Sequence, residues 1–348
     1  MWTRLAVCSL LSLIACSGAG TTDAGAVAGG GNGGSGGAGL GGSSGGSGAG
    51  GTGGTGGTSD IGGMSGSSGQ SAGTPGCGLD EKTGDLDETL SIQGVARTYR
   101  VHVPPGTTGS DPKTLVFVFH GFTETPAQIA DISRMSAKAD QQGFLVVYPL
   151  GLGTNWNAGT CCGSSTGTVD DVGFFDAMVN SIGAKHCIDP KRVFATGLSN
   201  GAMFAHRLAC ERAATVAAIS PVAGPNMVAS CAPTRPVPVL EFHGTADPVV
   251  PFAGGGVSLA APVQTTIAAW EATDGCTDSV AKTVYAKGDV TCAAKSMCAG
   301  GAVVELCTIQ DGGHQWPGGT SAGLYGKLST DIDASAAMLA FFQAHPMP

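Results

Sequence analysis

The stretch RVFATGLSNGAMFAHRL, residues 192–208, constrains the fold more than any other part of the chain. A short apolar run of strand type passes without a break into Gly-x-Ser-x-Gly and then into a helical pattern. Gly197 and Gly201 remove the side chains that would collide in a sharp strand-to-helix turn, which leaves the hydroxyl of Ser199 exposed above a sheet. The same five-residue pattern surrounds Ser35, at residues 33–37, and Ser43, at residues 41–45. Neither copy has a strand before it or a helix after it, so nothing there can hold a strained turn or a base. Ser199 is the candidate nucleophile.

The two discarded copies sit in a segment of unusual composition. Of the 59 glycines in 348 residues, a large share falls between Ser17 and Gly76, among Ser, Ala and Thr. Such a segment has too little apolar surface to offset its chain entropy and is expected to be a coil with a mean span of about 40–45 Å. Before it, Arg4 precedes the apolar run LAVCSLLSLIA, residues 5–15, which is too short to span a bilayer and fits a signal peptide. The run ends in LIAC, which resembles a bacterial lipobox, so Cys16 is the expected lipidation site; an ordinary secretory signal is the alternative. The expected organisation is a signal peptide at 1–15, a disordered tether at 16–76 and a catalytic domain at 77–348. The protein is expected to be exported, as a cell-envelope lipoprotein or a secreted protein, and to meet the membrane through its N-terminal lipid only.

Cysteine usage agrees with export. Cys8 lies in the signal and Cys16 at its end, which leaves ten cysteines in the domain, an even number suited to a disulfide framework. No CxxC pair or Cys/His cluster with zinc spacing occurs, so no metal is expected. Cys210–Cys231, Cys276–Cys307 and Cys292–Cys298 are the expected pairings, with Cys161 and Cys162 bonding separately to Cys187 and Cys77. Net charge is −9 with no basic run, which argues against a nucleic-acid partner.

Within the domain, strand-type and helical segments alternate. ETLSI and ARTYRVHV read as strands, then KTLVFVFHG as a buried central strand, followed by one helix after Pro126. FLVVYPL, RVFATGLS, VAAISPVAG, PVPVLEFHG and AVVELCTI continue the strands; helices fall around residues 169–185, 200–213 and 333–345. This order predicts an α/β fold with a mostly parallel central sheet, helices on both faces and disulfide stabilisation.

A serine hydroxyl needs a positioned base. Beyond the helix that Ser199 opens there are three histidines, His243, His314 and His345, and His314, in the glycine-rich loop DGGHQWPGG, is the candidate base. Asp247, in EFHGTADPVVP, is the candidate acid that orients it. His243 and Asp311 are the rivals. The backbone N–H groups of Asn200 and Phe122 are the candidates for an oxyanion hole, the latter from the loop after VFVFHG. No cofactor is needed for this chemistry.

Six blocks carry a family resemblance: VFHGF, NWNAGTCCG, VDDVGFFDAM, CIDPKRVFATGLSNGAMFAHRLAC, PVPVLEFHGTADPVVP and GGHQWPG. Together they resemble the secreted polyhydroxybutyrate depolymerase/feruloyl esterase family of α/β hydrolases, over nearly all of residues 77–348. Ala202 departs from the second glycine that many members carry. The resemblance implies an α/β-hydrolase fold, the triad Ser199, Asp247 and His314, and hydrolysis of carboxylic esters. The expected substrate is polysaccharide-linked or oligomeric, with feruloyl or acetyl groups ahead of hydroxybutyrate oligomers. Trp156 and Trp316 are the candidates for an acyl pocket, each with a packing role as the alternative. A serine peptidase, and a non-catalytic lipid-anchored binding protein on the same fold, are the other functions considered.

Overall fold

A computed structural model describes residues 73–163, 166–256, 258–323 and 325–348. The expected signal peptide, the tether up to residue 72, Cys16, Ser35 and Ser43 lie outside the described residues. Thr74 N–H donates to Ile188 O at 3.0 Å, which ties the start of the described segment to the sheet.

The elements follow in the order β1 (Gly84–Ile92), β2 (Val95–Val103), β3 (Lys113–Phe119), α1 (Pro126–Ser133), α2 (Met135–Gln142), β4 (Leu145–Pro149), α3 (Asp171–Lys185), β5 (Ile188–Leu198), α4 (Asn200–Glu211), β6 (Ile219–Val222), β7 (Val239–Gly244), α5 (Val263–Thr273), β8 (Lys282–Lys287), β9 (Val290–Lys295), β10 (Val304–Ile309) and α6 (Ala334–Ala344). They build one sheet in the order β1-β2-β4-β3-β5-β6-β7-β10-β9-β8. The block from β4 to β10 is parallel, and an antiparallel pair flanks it on each side, β1 and β2 at one edge and β9 and β8 at the other. The fold is an α/β hydrolase, with the parallel part confined to the centre of a large mixed sheet.

Burial explains this division. β3 and β4 are nearly continuous apolar runs, and every residue of β7 is buried, because helices cover both faces of these strands. β1 alternates between exposed and half-buried residues, as an edge strand with one wet face does. Gln93 and Gly94, both at positive φ, make the two-residue turn into β2. On one face Leu115, Phe117 and Phe119 pack with Phe174, Phe175, Phe204 and Trp270 of α3, α4 and α5. On the other, Val116, Val118 and Phe194 pack with Ile129, Met135 and Phe342 of α1, α2 and α6. Each buried Phe or Leu contributes roughly 1.5–3 kcal/mol, so the two cores stabilise the sheet from both sides.

Three features differ from expectation. The helix after Pro126 is two helices, broken at Arg134, which adopts φ 53°. α5 and the β8–β9 ribbon had no counterpart in the sequence reading; β8 is largely exposed, and its polar composition hid it.

The disulfides correct several expected pairs. Cys210–Cys231 forms as expected. Cys292 pairs with Cys307 because β9 and β10 place them directly opposite each other, and Cys298 pairs with Cys276 beyond the end of α5. Cys77 pairs with Cys187, since residues 74–77 run beside the end of α3 and the start of β5, and Cys161 and Cys162 bond to each other.

Candidate active site

Parallel strands present the loops at their C-terminal ends on one edge of the sheet. Ser199 follows β5, Asp247 follows β7, His314 follows β10, and the segment from Gly121 to Glu124 follows β3. Four separate stretches of chain therefore meet along one rim of the molecule.

The turn at Ser199 is strained. Its backbone sits at φ 58° and ψ −120°, a conformation that costs a non-glycine residue about 1–3 kcal/mol. The surrounding structure holds it: Ser199 N–H donates to Val222 O at 2.9 Å, and Met203 N–H donates to Ser199 O at 3.0 Å. A Cβ at Gly197 would stand 2.6 Å from both Gly201 C and Phe119 O, so the turn and β3 require glycine there. Ser199 itself remains partly exposed.

Asp247 and His314 are joined. His314 Nδ1 lies 2.7 Å from Asp247 Oδ2, and both side chains are almost fully buried. The other oxygen, Oδ1, accepts from the N–H groups of Val249 and Val250, each at 2.8 Å, which fixes the carboxylate in one orientation. Burial alone would raise the Asp247 pKa, but hydrogen bonds from His243 and His314 outweigh it and hold the group well below the usual carboxylate range. Asp247 Oδ2 fixes the His314 tautomer with its proton on Nδ1, which leaves Nε2 as an acceptor.

The loop after β3 is fastened at several points. Gly121 N–H donates to Glu124 Oε2 at 2.7 Å and Thr123 N–H to Thr154 O at 2.8 Å. Phe122 N–H, between them, has no acceptor among the described residues. His120 completes the clamp: its Nδ1–H donates to Gly121 O at 2.7 Å, and its Nε2 accepts from Gly151 N–H at 3.0 Å. Burial brings the His120 pKa down to about 4, so the ring is neutral. Burial also raises the Glu124 pKa, against the pull of the Gly121 amide and the nearby His314. Asn200 is the first residue of α4, so its N–H has no acceptor within the helix. Its side chain exchanges two hydrogen bonds with the Trp156 backbone, at 2.7 and 3.0 Å.

The rivals fall away from the rim. Asp311 is exposed and bonds to Gln310 and Thr245. His243 is buried, with Nε2–H donating to Val250 O at 2.8 Å. Neither tryptophan lines an open pocket, since both are 0 % exposed. Trp156 stacks on Phe204 and donates from Nε1 to His120 O at 3.0 Å; Trp316 donates to Ser335 Oγ at 2.9 Å, beneath α6. The acyl-pocket assignment is corrected for both: their rings are core.

The aromatic residue at the rim is one that the sequence reading passed over. Tyr325 is 46 % exposed, its ring stands edge-on to His314 with centroids 6.1 Å apart, and its carbonyl accepts from His314 N–H at 2.7 Å. Phe122 is 42 % exposed on the loop after β3. Among the described residues the one cluster with metal-ligand types is Cys292, Glu305 and Cys307, and its two sulfurs form a disulfide, so it offers a single carboxylate.

A strained serine turn, a buried Asp–His pair and two backbone amides without acceptors therefore stand along one rim of an α/β-hydrolase fold. The chain matches the family described as Esterase PHB depolymerase over residues 97–260, and it belongs to that family. It is 32% identical over 230 residues to feruloyl esterase B of Piromyces equi, covering 62% of this chain and 42% of that protein. It is also 32% identical over 252 residues to the putative esterase NocK of Nocardia uniformis subsp. tsuyamanensis, covering 66% of this chain and 73% of that protein. The chain thus spans less than half of the first relative and about three quarters of the second. Among solved structures it is similar to the acetyl xylan esterase from Aspergillus awamori, with a TM-score of 0.53, 16% identity, and coverage of 74% of this chain and 99% of that one. That likeness concerns the fold.

Proposed function

We propose that the protein is an exported serine esterase that hydrolyses carboxylic esters through an acyl-enzyme on Ser199. The observation that carries the reading is the 2.7 Å contact between His314 and Asp247 on the rim where Ser199 is held at positive φ. His314 Nε2 takes the Ser199 proton as Oγ attacks the ester carbonyl. The developing oxyanion is received by the N–H groups of Asn200 and Phe122. His314 then gives its proton to the leaving alcohol, and the acyl group stays on Ser199. Water, deprotonated by His314, attacks the acyl-enzyme; collapse releases the acid and returns the proton to Ser199. Asp247 stays ionised throughout and stabilises the His314 cation.

The proposed substrates are feruloyl or acetyl esters on plant polysaccharide. Relatives named feruloyl esterase and acetylxylan esterase/xylanase support this class, and Tyr325 and Phe122 offer aromatic surface at the rim for a planar acyl group. The test is turnover of methyl ferulate, acetylated xylan and hydroxybutyrate oligomers. Hydrolysis of the first two supports the reading; hydrolysis of hydroxybutyrate oligomers alone transfers it to polyester. A folded protein inert on every ester leaves the binding-protein reading.

The proposed address is the cell envelope, through lipidated Cys16 and the tether. Among the described residues no helix is long and apolar enough to cross a membrane. Mass spectrometry of the N-terminus tests the anchor: diacylated Cys16 is expected, and an unlipidated mature N-terminus contradicts it.

A further inference from the structure

β7 carries a charge where a central strand should have none. Glu241 lies between Leu240 and Phe242 in a strand buried on both faces, and it is itself 0 % exposed. An isolated carboxylate in such a place is very costly, so its neighbours explain why it is tolerated. Alternation along the strand points Glu241 and His243 towards α4 and α5. His206 of α4 reaches it with Nε2 at 3.6 Å from Oε2, and His243 with Nδ1 at 3.6 Å from Oε1.

Hydrogen bonds at the far sides of the two rings fix where their protons lie. Trp270 Nε1–H donates to His206 Nδ1 at 3.0 Å, so the His206 proton is on Nε2, facing Glu241. His243 Nε2–H donates to Val250 O at 2.8 Å and stands 3.5 Å from Asp247 Oδ2. Without a second proton, His243 Nδ1 would aim a lone pair at a carboxylate oxygen in a dry site. With one, the ring is a cation placed between Glu241 and Asp247.

We infer that Glu241 and His243 form a buried ion pair behind Asp247, and that His243 is a positioning residue that holds the Asp247 carboxylate ionised and oriented for His314. The groups facing His243 are Glu241 on its own strand, Asp247 and Val250 on the following loop, and the edge of Phe252 at 5.9 Å. His206 of α4 reaches it through Glu241, and His314 of the loop after β10 through Asp247. The protonation balance agrees: burial opposes the His243 cation, but Asp247 and Glu241 outweigh it and raise its pKa to about 9. Glu241 is held below its usual value by the two histidines, against burial. His243 is thus not a spare base. It resists transfer of the shared proton from His314 to Asp247 by stabilising the Asp247 carboxylate.

The inference rests on the esterase reading for its kinetic consequence, but its structural part can be measured without turnover. Nitrogen-15 NMR of histidine-labelled protein should show both ring nitrogens of His243 protonated at pH 7, and only Nε2 protonated in Glu241→Gln. A neutral His243 ring in the wild-type protein, with Glu241 keeping the proton, overturns the ion pair. The double variant Glu241→Gln/His243→Gln removes both charges together, so neither member of the proposed pair is left buried without the other. Folded, it should lose about tenfold in kcat at unchanged KM for p-nitrophenyl acetate. A folded double variant with wild-type kcat, or one that loses only in KM, overturns the positioning role. Failure of the Ser199 acyl-enzyme reading would show differently, as a Ser199→Ala protein that still hydrolyses esters while the His243 nitrogen shifts stay as expected.

Discussion

His314 and Asp247 are 67 residues apart in the chain and 2.7 Å apart in the fold, because β7 and β10 are parallel neighbours whose loops emerge side by side. Replacement of Asp247 by Asn removes the acceptor that sets the His314 tautomer while keeping the shape. Asp247→Asn should lower kcat by about 10⁴-fold with little change in KM, and His314→Ala at least as much. His243→Ala should cost far less. Steady-state kinetics on p-nitrophenyl acetate checks the order; equal losses at His243 and His314 would contradict it.

Tyr325 should contribute to the recognition of aromatic acyl groups. Tyr325→Ala is expected to raise KM for methyl ferulate by about three- to tenfold and to leave acetylated xylan nearly unaffected. Equal effects on both substrates would make Tyr325 only a prop for the His314 loop.

The tryptophans should behave as core. Trp156→Ala and Trp316→Ala are each expected to destabilise the fold by about 3–5 kcal/mol, read as a lower denaturant midpoint. Wild-type stability with a selective loss on aromatic esters would restore the pocket reading.

His120 links acid sensitivity to the loop after β3. Its pKa falls from about 6.5 unfolded to about 4 folded, so between these values the unfolded chain binds more protons. Its contribution is therefore fully present above about pH 6.5 and is lost towards pH 4, a change of about 3 kcal/mol. The stability gap between wild type and His120→Gln should shrink by about that amount from pH 7 to pH 4, measured by chemical denaturation at each pH. A constant gap would contradict the assignment.

Cys292 and Cys307 close a short loop across β9 and β10. Their joint replacement by alanine should cost about 3 kcal/mol, and a non-reducing peptide map should recover this pair together with Cys276–Cys298. Recovery of Cys292–Cys298 would contradict the register of the ribbon.

The parallel core was legible because buried strands such as KTLVFVF and LVVYP are dominated by an unbroken apolar run. Ser199 was legible because a glycine-flanked turn between strand and helix leaves few alternatives. Asp247 and His314 followed from their loops after later strands. What the sequence concealed depends on register and side-chain direction. Nothing local distinguishes a tryptophan whose ring turns into the core from one that turns outward, and both indoles turned inward. Tyr325 sits in a glycine-rich loop with no periodicity to place it. The Cys292–Cys307 pair depended on the register of β9 against β10, and β9 is a six-residue strand of mostly small residues beside the exposed β8. Glu241 did leave a trace, as a lone acid in the middle of an apolar run.

The central claim is that one serine, Ser199, carries the acyl group. Brief incubation with a fluorophosphonate probe, followed by peptide mass spectrometry, tests it most directly. The account predicts one adduct, on the peptide containing Ser199, with loss of ester hydrolysis in proportion to labelling and no adduct in Ser199→Ala. An adduct on another residue, or full ester hydrolysis by the Ser199→Ala protein, would contradict it.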